Sequence, residues 1–429
     1  MATYESYKDS GVKWLGQIPS HWEIKKLRAF FSEVTEYNSA LKVHNQLQFK
    51  YGTIVPKPDS EIDEAVLKTI SKYTIVNPGD IIINGLNLNY DFISFRVGKV
   101  NERGVITSAY IAMRPNENLL PKFYEYLLKA MDAKKVFHGF GTGIRLTLSF
   151  KELKHKLLPF VPLNEQEAIV AYLDKVMGEI DRAIESQQKM IDALIERKQI
   201  IITRAVTRGL NPNTPLRNSG IDWIGQIPEH WKLTQLKRLA TLILGKMLDT
   251  KGGSPTKWSK YICAKDVHFD GIDTSDLKSM YFSEKEKKLY KVFNGDVLIV
   301  EGGAGAGGCA IADKINEDIY IQNSIIIIRP NKNLNNGYIA YLMQSLVKRG
   351  FIEYACNKAT IPHFTKEKVG SVLIAVPSVE EQKDIVLHIN NQIEPIDNFI
   401  KQCERMISLL QERKQIIINE VVTGKKKVI

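Results

Sequence analysis

The heptapeptide GQIPSHW, Gly16 to Trp22, returns as GQIPEHW, Gly225 to Trp231. Aligning 9–28 with 218–237 gives ten identities in twenty positions. A repeat of 20 to 50 residues would indicate a solenoid or propeller. A period of about half the chain indicates a duplicated module that does one job at two places. A second duplication supports this: ERKQIII stands at 196–202 and, letter for letter, at 412–418. Between these anchors only a skeleton is shared. Pro78-Gly79-Asp80 answers Asn294-Gly295-Asp296, each before an apolar triplet, and Arg114-Pro115-Asn116 answers Arg329-Pro330-Asn331. The chain therefore reads A–B–A′–B′, with segments 1–162, 163–210, 211–376 and 377–429. GLNPNTPLRNSG, 209–220, reads as the linker between the halves.

Segments B and B′ carry the alternating three- and four-residue apolar step of a coiled-coil seam. In B the seam reads Ile169, Leu173, Val176, Ile180, Ala183, Met190, Leu194 and Ile201, with polar Gln187 and Arg197 in line. In B′ it reads Ile385, Ile389, Ile396, Phe399, Met406, Leu410 and Ile417, with Gln392 and Arg413. Roughly 33 residues of such a helix extend about 50 Å. Pro395 is expected to kink or break the second helix early, and Gly178 to loosen the first. The twinning argues for helices that pair with each other, or with two copies of one partner. A and A′ look mixed, with short β-rich runs (YTIV, DIIIN, SAYIAMRP; YIC, DVLIVE, IYIQNSIIIIRP). Each ends in a helical stretch, PKFYEYLLKAM and NGYIAYLMQSL.

Composition narrows the function. The 429 residues, 44% apolar and 25% charged, fit two to four globular domains. No apolar run is long enough to span a membrane, and the first residues lack a secretory signal. Cys263, Cys309, Cys356 and Cys403 stand too far apart for a CxxC pair and offer no disulfide framework, so a reducing cytoplasm is expected. The net charge of +11 divides as +6 in A, −1 in B, +6 in A′ and zero in B′. All the excess positive charge lies in A and A′, which attracts a polyanion without naming it.

No catalytic signature is convincing. Gly303, Gly305 and Gly308 in VLIVEGGAGAGG formally satisfy GxGxxG after a strand. The sequel CAIADKINED is no amphipathic helix, so there is no helix dipole to hold a phosphate. A loop whose bare backbone can approach a large ligand is the better reading. No GxxxxGK[ST] occurs, no Asn/Asp-Pro-Pro-Tyr/Phe of an amino-methyltransferase, and no HExxH or paired-ligand histidine spacing. His21 and His230, inside Trp-rich turns, read as structural. Neither a catalytic nor a metal residue is assigned.

The polar inventory suits nucleic acid, because Arg or Lys can pair with guanine edges and Asn or Gln with adenine. Candidates in A are Asn84, Asn87, Asn89, Tyr90, Arg96, Lys99, Arg103 and Arg145. Candidates in A′ are Lys246, Lys251, Ser254, Thr256, Lys257, Lys260, Lys265, Gln322, Asn323, Lys358 and His363. Two unlike basic modules joined by stiff helices can read two separated half-sites, as dimeric readers do.

These features together resemble the specificity subunit of type I restriction–modification systems, along essentially the whole chain. The resemblance rests on SGVKWLGQIPSHW and SGIDWIGQIPEHW as domain openings, and on LLPFVPLNEQEAIVAYL and VLIAVPSVEEQKDIVLHI as domain ends. There Pro162, Glu165, Gln166, Ile169 and Leu173 match P-x-x-EQ-x-x-I-x-x-x-L. Pro377, Glu381, Gln382, Ile385 and Ile389 fill the same role with one inserted residue. VTRGLNP at 206–212 and VTG at 422–424 look like the family's helix ends. PGDIIING with GVITSAYIAMRP is similar to one class of recognition domain, and GDVLIVEGGAGAGG with IQNSIIIIRP to another. The resemblance implies an α+β fold: two mixed target recognition domains (1–162 and 211–376) in a pseudo-twofold tandem repeat. Two long helices (163–210 and 377–429) would join them as an antiparallel coiled coil. It further implies a non-catalytic, cytoplasmic chain that reads a bipartite duplex DNA target, one half per domain. The helices would be the ruler and the dock for two methylation subunits, with restriction subunits joining the full complex. S-adenosylmethionine, ATP and Mg would belong to those partners, with no cofactor in this chain. A self-sufficient DNA methylase or nuclease, or a coiled-coil scaffold without DNA specificity, are the alternatives.

Overall fold

The structure is a computed structural model. It describes residues 2–428 apart from 51, 59–63, 91–94, 118, 142, 144, 145, 222, 254–257, 304 and 356–362, with backbone alone at 353 and 355. The chain forms two compact units. Unit 1 comprises Met1–Gln187 with Glu404–Ile429, and unit 2 comprises Gln188–Cys403. Each long helix is thus divided between them.

In unit 1 the entry hairpin pairs β1 (Tyr7–Asp9) with β2 (Gln17–Pro19). Then come β3 (Glu23–Lys26), β4 (Phe31–Glu33), β5 (Ile81–Ile83), β6 (Val97–Lys99), β7 (Ile111–Pro115) and helix α1 (Pro121–Ala133). β8 (Leu157–Phe160) pairs back on β3 and feeds the 46-residue helix α2 (Leu163–Arg208). The central sheet runs β4-β7-β5-β6, all antiparallel. Unit 2 repeats every one of these elements. They are β9 (Leu216–Asn218), β10 (Gln226–Pro228), β11 (Lys232–Gln235), β12 (Ala240–Leu244), β13 (Val297–Val300), β14 (Cys309–Ile311), β15 (Ile325–Pro330), α3 (Asn336–Lys348), β16 (Leu373–Val376) and the 44-residue α4 (Val379–Val422). Its sheet, β12-β15-β13-β14, has the same order and directions. The end of the expected linker is therefore already a strand, β9.

The purely apolar runs III and VLIV make the central strands β5 and β13, covered on both faces as such runs require. The shared Asp, which is buried, and the shared Arg tie the start of β5 to the end of β7 and the start of β13 to the end of β15. Arg114 donates from Nε and Nη2 to Asp80 at 2.9 and 2.8 Å, and Arg329 to Asp296 at 2.7 and 2.6 Å. Such forked pairs hold planar geometry as well as charge. The units differ in what decorates this shared core. Unit 1 adds a hairpin (Leu47–Lys50 with Thr53–Pro56) and a short helix Glu64–Ile70. Unit 2 adds a three-stranded sheet of Ser259–Ile262, Lys278–Met280 and Tyr320–Ile321 with helix Glu284–Tyr290.

The long helices pair antiparallel. In unit 1 Lys414 of α4 reaches Asp181 of α2, and in unit 2 Lys198 of α2 reaches Asp397 of α4, each at 2.6 Å. Lys198 and Lys414 are twins in ERKQIII, so each ion pair is the repeat image of the other. The seam corrects the sequence reading at alternate layers. Ile169, Leu173, Ile180, Ile385, Ile389, Ile396 and Ile417 are buried, and Val176, Leu194, Ile201 and Leu410 half-buried. Met190, Phe399 and Met406 are exposed by 45 to 47%. Their neighbours face inward instead: Met177, Ile191, Ile393, Cys403 and Val421 are buried, and Ile184, Ile400 and Ile407 half-buried. The step from Leu173 is four-then-three rather than three-then-four. Where a polar and an apolar residue are adjacent, as at Gln392 and Ile393, the isoleucine goes inside, and that fixes the phase for the whole helix. Pro395 does not break α4, which runs through it unbroken. The proline sits on the exposed face, while Ile393 and Ile396 on either side are held in the seam. Gly178 likewise lies within unbroken α2.

Candidate nucleic-acid interface

The repeated heptapeptide is a clasp. In unit 1 the buried Trp22 donates its indole N–H to Glu165 at 3.1 Å, and the same carboxylate takes the Tyr4 hydroxyl and the His21 ring. In unit 2 Trp231 and His230 bond Glu381, both at 3.0 Å. The adjoining glutamine ties the helix start to the domain. Gln166 accepts from the Leu120 N–H and donates to the Val161 carbonyl; Gln382 accepts from Asn335 and donates to Pro377 and Asn333. The far side of each tryptophan meets the end of the other long helix. Gly424 and Gly209 take the left-handed conformation just past α4 and α2, as helix-ending glycines do. A side chain on Gly424 would collide with Pro19 and Trp22. Ile417, Ile418, Val421 and Val422 then complete the core of unit 1, and Ile202, Ala205 and Val206 that of unit 2. His21 and His230 each help to hold the clasp glutamate.

The loops carried by this scaffold hold the candidate residues. In unit 1 Asn87 and Tyr90 are exposed, Tyr90 by 75%, and Asn84 and Asn89 are half-buried. Lys99 lies at the end of β6 with its ammonium on Asn101, and Arg103 is exposed. Arg96 is a correction: it is fully buried, with its guanidinium on the carbonyls of Asn84 (3.1 Å), Leu86 (2.8 Å) and Asn87 (3.4 Å). It builds the loop and is not available to a base. In unit 2 Lys246 is a second correction. Its ammonium is spent on Glu286 (2.9 Å), Asp249 (3.2 Å) and the Tyr281 carbonyl (2.9 Å). Burial lowers its pKa, but Glu286 and Asp249 outweigh that and raise it overall. Gln322 and Asn323 bond each other at 2.5 Å and half-bury their amides. Lys260 and Lys265 are exposed but paired with Glu317 and Asp266, each at 2.8 Å. Lys251 and His363 are exposed. Arg145, Ser254, Thr256, Lys257 and Lys358 lie outside the described residues. The glycine run forms a turn between β13 and β14, with the Gly307 N–H on Val300 (2.9 Å) and the Val300 N–H on Gly308 (2.8 Å), and no helix follows it.

Two grooves escaped the sequence reading. A groove of about 810 Å³ in unit 1 is lined by Lys13, Lys134, Lys135, His155 and Lys156 beside Trp14 and Phe140. Burial, and after it the neighbouring Lys425, push the Lys134 pKa down. In unit 2 a groove of about 490 Å³ is lined by Arg204, Arg208 and Arg349 with Thr203 and Thr207. Among the described residues neither lining contains a carboxylate. Lys134 and Arg349 hold the same place, the cap after α1 and after α3. The doublets Lys134-Lys135 and His155-Lys156 were visible signals in the sequence. Among the described residues no cluster of His, Cys, Asp or Glu is placed to hold a metal, and no helix is long and apolar enough to cross a membrane.

The description "Type I restriction modification DNA specificity domain" matches residues 19–190 and, a second time, 228–403. The chain belongs to that family. Two proteins of Methanocaldococcus jannaschii are similar over 98% of this chain. One, named for the MjaX type I restriction enzyme specificity subunit, is 23% identical over 98% of its own length. The other, the MjaVIII specificity subunit, is 22% identical over 97% of its length. The EcoBI specificity subunit of Escherichia coli is 23% identical over 65% of this chain and 60% of its own. A chain solved in work on complex assembly and conformational transition of the type I R-M system shares the fold. Its TM-score is 0.70 at 15% identity, over 94% of this chain and 98% of that one.

Proposed function

We propose that this chain is the DNA-recognition subunit of a type I restriction–modification complex, working in the cytoplasm without catalysing either reaction. Unit 1 reads one short word of a bipartite duplex target and unit 2 the other. The observation that carries this is a ten-element core, repeated in the same order with the same clasp, that bears unlike outer strands, helices and loops in its two copies. Cores of the same topology suit a common task, and unlike outer parts suit two different words. Backbone phosphates fall to the basic grooves, where charge suffices and residue identity is free to differ between the units. The methylation subunits dock on the helix faces that the repeat keeps identical and exposed: Met190, Arg197 and Ile200 on α2, Met406, Arg413 and Ile416 on α4. A partner bound twice through side chains needs the same residues twice. Restriction subunits join that assembly, and S-adenosylmethionine, ATP and Mg are used there.

The test is to express the chain with its methylation subunit and map methylated adenines. Two short words separated by a fixed gap are expected. Exchanging residues 1–162 for another recognition domain changes one word alone, and inserting residues in α2 or α4 changes the gap. A single uninterrupted word would overturn the proposal.

A further inference from the structure

We infer that Arg96 and Asp132 are positioning residues that set the loop Asn84–Tyr90 of unit 1 in the one conformation that reads its word. This rests on the proposed reading of unit 1 as a DNA-recognising head. The loop leaves the central strand β5 and must return to β6. Its backbone is pinned at both ends: the Asn84 N–H donates to the Arg96 carbonyl at 2.8 Å, and the Leu88 N–H to Leu146 at 3.0 Å. Gly85 accepts from the Leu148 N–H at 2.9 Å, and a Cβ there would stand 2.3 Å from the Leu148 carbonyl oxygen. No other residue fits that close a crossing. Between the pins, three carbonyls in a row of four residues (Asn84, Leu86, Asn87) turn inward onto one guanidinium. Asn87 reaches this arrangement in the left-handed conformation, φ 51°, which asparagine tolerates better than most residues.

Arg96 is itself fixed from behind. Its backbone N–H donates at 2.7 Å to Asp132, a carboxylate near the end of α1 that is only 1% exposed. A buried guanidinium is costly to keep, and ordinary packing would be served as well by an apolar side chain. What an arginine adds is a planar fork that can hold several carbonyls at once, which lysine cannot copy. Carbonyls turned in oblige side chains to turn out. Leu88 goes to the core at 0% exposure, and Asn87 and Tyr90 are the exposed side chains of the segment. An amide and a phenol, offered from a loop whose backbone is anchored at Asn84, Gly85 and Leu88, can pair with base edges in a groove at a lower ordering penalty. Unit 2 does this differently: its corresponding turn folds back on Val300 through glycines, and Arg96 is the one buried arginine among the described residues. The device therefore serves one word only.

The experiment uses the full chain assembled with its methylation subunits, assayed for methylation on duplexes substituted one base pair at a time in either word. Asn87→Gly, which keeps the backbone conformation, and Tyr90→Ala are expected to lower methylation of the cognate duplex by about tenfold or more. They should also relax discrimination at positions of a single word. Arg96→Lys and Asp132→Ala should relax that same word, while discrimination at the other word and the salt dependence of binding keep their wild-type values. Full discrimination retained in Arg96→Lys and Asp132→Ala, or in both Asn87→Gly and Tyr90→Ala, or a loss spread evenly over both words, would overturn the inference. If Arg96→Lys fails to fold, Asp132→Ala decides together with the two exposed substitutions. A wild-type complex with no two-word preference would instead overturn the function proposed above, and this inference with it.

Discussion

Glu165 and Glu381 show how much can hang on one side chain. Each carboxylate sits at the first turn of a long helix and takes an indole N–H and an imidazole from the repeated loop. Hydrogen bonds to charged groups contribute about 1.5–3 kcal/mol, so Glu381→Ala should lower the stability of unit 2 by about that much. Thermal unfolding would register this, and an unchanged melting profile would mean the clasp is decorative. The motif was legible as sequence, since P-x-x-EQ stands in both halves, but its job was not. Trp22 and Glu165 are 143 residues apart, and nothing local announces that they touch. Arg96 was misplaced for a related reason. In sequence, a basic residue among asparagines looks the same whether it faces solvent or supports the loop from inside, because its partners there are backbone carbonyls that every residue carries. Lys246 repeats the lesson, since Glu286 is 40 positions on.

Among the elements, the two long helices were the most legible and still held two surprises, the unbroken run of α4 through Pro395 and the phase of the seam. Their existence follows from a heptad period sustained over many turns. The phase does not, because apolar residues stand side by side at Met190-Ile191, Phe399-Ile400 and Met406-Ile407, and only one of each pair can face the seam. This gives a sharp contrast between neighbours of equal hydrophobic character. Ile191→Ala should destabilise the chain by about 2–4 kcal/mol, whereas Met190→Ala should stay within about 0.5 kcal/mol. Chemical denaturation of the two variants checks this, and reversed effects would restore the other phase. The sheets were legible in their central strands, where III and VLIV announce full burial. The outer additions were harder to foresee, because strands of two or three residues such as Tyr320–Ile321 are too short for a period to show.

For the molecule as a whole, charge is the property that matters first. The net +11 resides in the two recognition segments, and the groove of unit 1, with Lys13, Lys134, Lys135 and Lys156, gives part of it an address. Changing both Lys134 and Lys135 to Gln should weaken binding to every duplex alike and flatten the logarithmic salt dependence by about one for each phosphate left unneutralised. Fluorescence anisotropy across a salt series would show it; a change confined to particular sequences would instead place these lysines at base edges. The way the units share the helices also carries a consequence for how the protein is made. Unit 2 is one uninterrupted stretch, Gln188 to Cys403, while unit 1 needs Glu404–Ile429 to cover its tryptophan and close its core. Domains fold as they leave the ribosome, so the part begun first must be the part finished last. The early half waits, with its apolar surface uncovered, through the synthesis of its sibling, and during that interval chaperone protection or a proteolytic accident decides its fate.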